Sequence, residues 1–266
     1  VGLWHYQHLE TARCVGKMII LPPTSYPLFA RYSKFEFHQA STRLSYKPMV
    51  FSTRYSSCES QLTHCWKELQ SSHQKKMFLL GILVTATTLN DQVMLNVWIQ
   101  RCIGVLDEEA IEEAILQTLL FAGFPKTIEA LKQLRIHFPV KHATKHVGNH
   151  KRAGEETSQI IYGKYHSKLK KTMDELHPDL TRWMIEDGYG RVLSRSGLSL
   201  QEREISVLAS LMTSGMVNQF RAHVRGAFFA GVSRVDIIWF TNIFQCIIAA
   251  ELRAAFNQVT QEMLKT

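Results

Sequence analysis

The stretch Ser199–Gly231, SLQEREISVLASLMTSGMVNQFRAHVRGAFFAG, contains the clearest helix start and stop signals in the sequence. Ser199 and Glu202 have the spacing of a capping box, in which the serine oxygen accepts a first-turn amide hydrogen and the glutamate accepts the amide hydrogen of the cap. Gly215 and Gly231 are suited to end helices because glycine adopts a left-handed backbone without strain. The stretch therefore predicts two consecutive helices, the first with an apolar face of Ile205, Leu208, Ala209, Met212 and Met216.

Helical signals continue on both sides of this stretch. From Cys65 onward, apolar residues recur at helical spacing through most of the chain. Asp107 is placed to cap a helix that begins with acidic residues, and Pro125 and Pro178 each suit the first turn of another helix. The sequence therefore predicts an all-α protein.

An internal repeat is the next feature of the pattern. Residues 75–137 and 200–256 both read as a helix, a break, a second helix, a short turn and a long apolar helix. We therefore predict a helical bundle of two related units. The long apolar helices, Glu112–Phe121 and Val235–Ala250, should pack against each other, because neither unit is large enough to bury its own.

Two segments lack this helical pattern. Residues 1–60 show no sustained period and are rich in Ser and poor in acids, as in a mitochondrial transit peptide. The alternative is a poorly ordered arm without a targeting signal. Residues 138–157 are basic and contain glycine, which predicts a connector between the units.

The composition excludes several classes of protein. The net charge is +8, but residues 1–60 hold seven Lys/Arg against three acids and residues 132–171 hold ten against two, so the excess lies in the arm and around the connector. No nucleic-acid motif accompanies this positive charge, and we expect no nucleic-acid partner.

The most apolar stretch, Val235–Ala250, is interrupted by polar residues, so we expect no membrane span. The five widely spaced cysteines favour a reducing, intracellular compartment.

One group of motifs resembles a known family. The sequence YGRVLSRSGL at Tyr189–Leu198 is followed by Arg203-Glu204 and then by QFRAHVRGA at Gln219–Ala227. This succession is similar to the carboxymuconolactone decarboxylase-like family, an all-α fold. The similarity is specific over about residues 158–240, weaker over 75–137, and absent from residues 1–60.

The resemblance implies a domain organisation. Residues 65–137 would form a degenerate first unit and residues 158–266 a second one, as in tandem members of the family. In those members two units within one chain replace a pair of subunits. The chain would then be a pseudo-dimer that assembles further as a homo-oligomer, such as a trimer.

The family's alkylhydroperoxidase-D type uses two cysteines between a glutamate and a histidine. Glu204 and His223 stand nineteen residues apart, as that pattern requires, but Met216 and Gln219 occupy the cysteine positions. Neither residue can supply a thiolate nucleophile or a resolving thiol. We therefore predict that the protein is not a thiol peroxidase.

The residues themselves leave two interpretations of this pair. His223 shares a helical face with Phe220 and Ala227, where a histidine is often a satisfied core residue. Glu204 could be a charge favoured by the start of its helix. Together, however, the carboxylate could orient the imidazole for acid–base catalysis.

The resemblance implies a cofactor-free, metal-free lyase that removes carbon dioxide from a small carboxylated lactone or similar cyclic acid. His223 and Glu204 would be catalytic, and Gln219, Arg195 and Arg203 would bind the substrate, with the arginines holding its carboxylate. The alternative for the arginines is an exposed charge beside a helix. His142, His146 and His150 have helical spacing, but Gly148 and neighbouring lysines favour a solvated face over a metal site.

A second class of function remains open at this stage. The degenerate first unit, and Ser196 where the family loop has proline, are compatible with a non-catalytic helical scaffold, mitochondrial or cytoplasmic. A water-accessible cavity with His223 and Glu204 in contact would favour the enzyme, and a filled core would favour the scaffold. We expect such a cavity between the units, with Met94, Val97 and Trp98 on its first-unit wall.

Overall fold

The computed structural model describes residues 52–140 and 148–265, and over these ranges the protein is all-α, as predicted. The α-helices are α1 Ser52–Glu68, α2 Ser72–Leu89, α3 Gln92–Cys102, α4 Glu108–Leu116, α5 Leu119–Leu134, α6 His150–Tyr162, α7 His166–Leu176, α8 Pro178–Trp183, α9 Leu200–Ser214, α10 Val217–Phe229, α11 Arg234–Phe244 and α12 Ala250–Lys265. A π-helix, Met184–Leu193, follows α8 directly. Within the described ranges, no helix is both long and apolar enough to cross a bilayer.

The helix signals of the sequence are confirmed where they are local. Ser199 caps α9 through both bonds of a capping box, with the Ser199 amide donating to Glu202 Oε2 at 2.8 Å. Gly215 ends α9 in the left-handed region at φ 73°. Asp107 occupies the N-cap position of α4, although its side chain makes no capping bond there.

Helices α2 and α9 pack against each other in the core, and hydroxyl groups pair between them. Thr88 Oγ1 lies 2.9 Å from Ser210 Oγ, and Thr213 Oγ1 donates to Thr85 Oγ1 at 3.5 Å. Each helix is followed directly by a residue with a left-handed backbone, Asn90 after α2 and Gly215 after α9. When the two helices are aligned on these ends, Thr85 corresponds to Ser210 and Thr88 corresponds to Thr213. The Thr88–Ser210 bond is therefore equivalent to the Thr213–Thr85 bond, as a pseudo-twofold relation between α2 and α9 requires.

The two long apolar helices were predicted wrongly. The segment Glu112–Phe121 is divided, because α4 ends at Leu116 and α5 begins at Leu119. Thr118 Oγ1 donates to the carbonyl of Ile115 at 2.6 Å within this turn. The segment Val235–Ala250 is divided as well, because the backbone of Ile248 is extended after α11 and a short 3-10 turn. Neither segment is thus a single long helix.

The boundaries of the arm and the connector also differ from the prediction. Helix α1 begins at Ser52, and its residues Cys58 and Leu62 are buried in the core. The Cys58 thiol donates to the carbonyl of Cys246 at 2.7 Å, so residues 52–60 belong to the bundle and not to an arm. Helix α6 begins at His150, inside the predicted connector 138–157. Residues 1–51 and 141–147, with His142 and His146, lie outside the described ranges.

Helix α6 and the π-helix cross at two glycines. A Cβ atom on Gly154 would lie 1.9 Å from the carbonyl oxygen of Ile185, and one on Gly190 would lie 1.9 Å from that of His150. No side chain fits between two backbones at that distance. The glycines therefore fix how closely the π-helix approaches α6.

We expect Gly154→Ala to destabilise the protein, although alanine normally stabilises a helix interior relative to glycine by about 0.5–1 kcal/mol. The new methyl group must displace the Ile185 carbonyl, and overpacking of this kind costs about 1–3 kcal/mol. Thermal unfolding followed by circular dichroism measures the change. Gly148→Ala is the control, because no atom lies within 4 Å of a Cβ there. Equal midpoints for the two variants would contradict the close crossing.

Candidate active site

A cavity of about 710 Å³ opens beside α10. Its other walls come from α6, α7, the π-helix and the start of α5. His223, Tyr162 and Tyr189 are buried at its inner end, whereas Trp183 and Gln219 are exposed at its mouth. The volume falls in the range of small-molecule sites, about 300–1,000 Å³. The remaining lining residues are Leu120, Phe121, Leu169, Thr172, Met173, Met184, Asp187, Gly188, Leu193, Asn218 and Ala222.

His223 and Glu204 meet at the inner end of this cavity. His223 Nδ1 lies 2.9 Å from Glu204 Oε2, and both side chains are buried. Helix α9 carries the carboxylate and α10 carries the imidazole, so the contact spans two consecutive helices. Gly226, one turn after His223, makes room for the contact, because a Cβ there would lie 2.7 Å from Glu204 Oε2.

The contact determines which nitrogen of the imidazole is available. An ionised carboxylate can only accept a hydrogen bond, so Nδ1 of His223 carries the hydrogen. The neutral ring then has its lone pair on Nε2, for which the described residues supply no hydrogen-bond partner. Because His223 lines the cavity, Nε2 can exchange a proton with a bound molecule.

Glu204 has a second carboxylate oxygen in an unusual setting. Oε1 is buried and finds no hydrogen-bond donor within the described part of the chain. Most buried polar atoms are paired, because an unpaired one loses its hydration without compensation. Because Glu204 contacts the cavity-lining His223, its unpaired oxygen is a candidate functional group.

Two tyrosines complete the polar end of the cavity. The Tyr189 hydroxyl donates to the Tyr162 hydroxyl at 2.8 Å, and the Tyr162 and His223 ring centroids are 6.4 Å apart. Burial raises the pKa of Tyr162 to about 12 and that of Tyr189 well above its usual range, so both stay protonated. The Tyr162 hydrogen has no acceptor among the described residues and is free for a ligand. No motif in the sequence indicates Tyr162, and Tyr189 belongs to the family motif without a predicted role there.

Arg195 and Arg203 were predicted as substrate ligands, and the structure places them away from the cavity. Both bind the buried carboxylate of Glu113: Arg195 Nη2 donates to Oε1 at 2.6 Å, and Arg203 Nη2 donates to Oε2 at 2.9 Å. Arg203 also donates to two backbone carbonyls of the loop before α9. These arginines join α4 to that loop, and the prediction that they hold a substrate is wrong.

Of the remaining residues predicted at the site, one lines the cavity and three do not. Gln219 lies at the cavity mouth, within reach of a ligand. The first-unit residues at the cavity are Leu120 and Phe121, with the Phe121 ring edge-on to the His223 ring at 6.0 Å between centroids. Met94, Val97 and Trp98 are not part of the lining, so that prediction is wrong. Trp98 packs edge-on against Phe78 in the main core instead.

The described cysteines have reduced thiol groups and lie outside the cavity lining. Burial raises the pKa of the Cys102 thiol strongly and that of Cys246 to about 12. Both are therefore thiols at neutral pH, and a thiol is a poor nucleophile. In the described ranges no group of His, Cys, Asp and Glu has the arrangement of a metal site.

Comparisons with known proteins add one relative. No protein-family model matches the sequence. The chain is 26% identical over 141 residues to a protein of Schizosaccharomyces pombe (strain 972 / ATCC 24843) named Peroxisomal protein 2. This alignment covers 50% of the chain and 66% of the relative, just under two thirds of the relative's length. The chain is thus similar to a fission-yeast protein whose name associates it with the peroxisome.

Proposed function

We propose that this protein is a cofactor-independent enzyme that moves a proton at a carbon atom next to a carbonyl group. The observation that carries the proposal is the buried contact between Glu204 Oε2 and His223 Nδ1, which leaves Nε2 at an open cavity. A scaffold would have no need for a buried carboxylate beside an empty space. The resemblance to the carboxymuconolactone decarboxylase-like family supports the same pair of residues.

The chemistry needs three groups, and the cavity offers each of them. Nε2 of His223 accepts the proton from carbon and returns it to a neighbouring carbon or to a leaving group. Glu204 stabilises the imidazolium that forms and fixes the ring orientation. The Tyr162 hydroxyl donates a hydrogen bond to the carbonyl oxygen as negative charge develops there. Gln219 at the mouth can bind the outer part of the substrate.

Decarboxylation of a lactone acid, as the resemblance implied, is one reaction of this kind. It would use His223 as the acid that protonates the carbon after carbon dioxide leaves. It would also need a cationic partner for the substrate carboxylate. Arg195 and Arg203 do not supply one, because both bind the carboxylate of Glu113. The cavity therefore favours proton transfer within an isomerisation or elimination over decarboxylation.

A reactive probe tests the proposal without knowledge of the natural substrate. The uncharged compound 5-nitrobenzisoxazole loses its C3 proton to a base, its N–O bond breaks, and coloured 2-cyano-4-nitrophenolate forms. We expect the full-length protein to accelerate this reaction and His223→Gln to reduce the rate at least tenfold, since general bases contribute about 10²–10⁴. His73→Gln is the control, because His73 is exposed and is not part of the lining. An unchanged rate in folded His223→Gln would favour the scaffold instead.

Assembly and compartment are tested separately. The homo-oligomer that the resemblance implies stays a prediction, which light scattering on the purified chain checks. The name of the fission-yeast relative adds the peroxisome to the mitochondrion predicted from residues 1–60. A fluorescent fusion of the full chain, imaged with markers of both organelles, distinguishes these compartments.

A further inference from the structure

The lining of the cavity offers few charged groups for a ligand to bind. Of the described residues that line it, none is Lys or Arg. Asp187 at the mouth is acidic. It pairs with Arg191 at 3.1 Å, and Arg191 is not part of the lining. The carboxylate of Glu204 lies directly behind His223 at the inner end. An anionic ligand would therefore find no lysine or arginine among the described lining residues, and the carboxylate of Glu204 would repel it at the inner end.

The walls between these two ends are apolar. They consist of Leu120, Phe121, Leu169, Met173, Met184 and Leu193. A charged group buried against such walls loses its hydration without compensation, whereas an apolar chain is stabilised there by its removal from water. The half-exposed ring of Trp183 extends the apolar surface to the mouth.

The polar groups are confined to the inner end and suit a single hydrogen-bond acceptor. The Tyr162 hydroxyl can donate to a carbonyl oxygen, and Nε2 of His223 can face the adjacent carbon. We infer that the ligand is an uncharged carbonyl compound, such as a lactone, ester or ketone, with an apolar chain that extends along α7 toward Trp183. This inference rests on the proposed function, because it takes the inner end as the reacting end.

A matched pair of compounds tests the charge preference without any turnover. The lactone δ-decalactone and the anion of its ring-opened form, 5-hydroxydecanoate, share one carbon skeleton. Each is titrated at pH 8 against full-length protein that carries the uncharged dye Nile red, and displacement is read by fluorescence. We expect half-displacement by the lactone at a concentration at least tenfold lower than by the anion. Equal or tighter binding of the anion would overturn the inference.

Two lysine variants on α7 test whether this binding takes place in the cavity. Met173 lines the cavity, whereas Leu176, one turn further along the same helix, is exposed and outside the lining. We expect Met173→Lys to shift the preference at least tenfold toward the anion, and Leu176→Lys to leave it unchanged. The same preference in both variants and the parent protein would place the binding elsewhere and overturn the inference.

The outcomes separate the ligand class from the reaction. If the lactone is preferred but His223→Gln retains the rate with 5-nitrobenzisoxazole, the cavity is a binding site for uncharged ligands and the enzyme proposal fails. If the anion is preferred while His223→Gln loses that rate, the acid–base site stands and the inferred ligand class is wrong.

Discussion

Replacement of Glu113 by alanine is expected to lower the free energy of unfolding by about 3–5 kcal/mol, because it leaves a buried cation without its partner. Arg203 is 1% exposed, and its Nη2 donates to Glu113 Oε2 at 2.9 Å. Arg195 binds the same carboxylate through Nε and Nη2. For a domain of this size the loss corresponds to a drop in the thermal midpoint of roughly 10 °C.

The control is a glutamate in an ion pair at the surface. Glu129 and Lys132 pair at 2.7 Å on α5, and both side chains are about half exposed or more. Glu129→Ala should change the free energy of unfolding by less than about 1 kcal/mol, since surface pairs are screened by water. Chemical denaturation measures both variants. A Glu113→Ala protein as stable as the control would mean that the arginines are not held by this carboxylate.

The ion-pair cluster of Glu113, Arg195 and Arg203 also illustrates why some of the fold could not be predicted from the sequence. Capping residues such as Ser199 act on backbone groups within one turn, so their spacing in sequence carries the information. Glu113 and Arg195 are 82 residues apart, and no local pattern connects them. Without that connection, the family motifs that contain Arg195 and Arg203 predict a role in binding a substrate carboxylate, whereas both arginines bind Glu113.

The candidate site was predictable to a similar extent. Glu204 and His223 lie on consecutive helices whose ends are marked by Ser199 and Gly215, so their approach followed from the family spacing and from local caps. Tyr189 lies in a π-helix, whose wider turn shifts side chains away from the faces that α-helical periodicity assigns. Tyr162 lies on α6, which crosses the π-helix closely at Gly154 and Gly190, and no local pattern in the sequence indicates that crossing.

Glu204→Gln is expected to reduce catalysis and to leave stability equal or higher, two changes that rarely occur together in a buried position. The amide is neutral and cannot stabilise an imidazolium, and its NH₂ group can donate to Nδ1 and move the ring hydrogen to Nε2. We expect the rate with 5-nitrobenzisoxazole to fall about 10²–10⁴-fold. The unpaired, buried Oε1 makes the native carboxylate costly, so loss of its charge removes a desolvation penalty.

Combination of this variant with His223→Gln separates a positioning role of Glu204 from a merely structural one. If Glu204 acts through the imidazole, the double variant should react no more slowly than His223→Gln alone, because the second change removes nothing further. Independent contributions would instead multiply the two losses. Nitrogen NMR of the imidazole gives a readout without catalysis: hydrogen on Nδ1 in the parent protein and more of it on Nε2 in Glu204→Gln. An unchanged tautomer together with an unchanged rate would show that Glu204 is only part of the packing of α9 against α10.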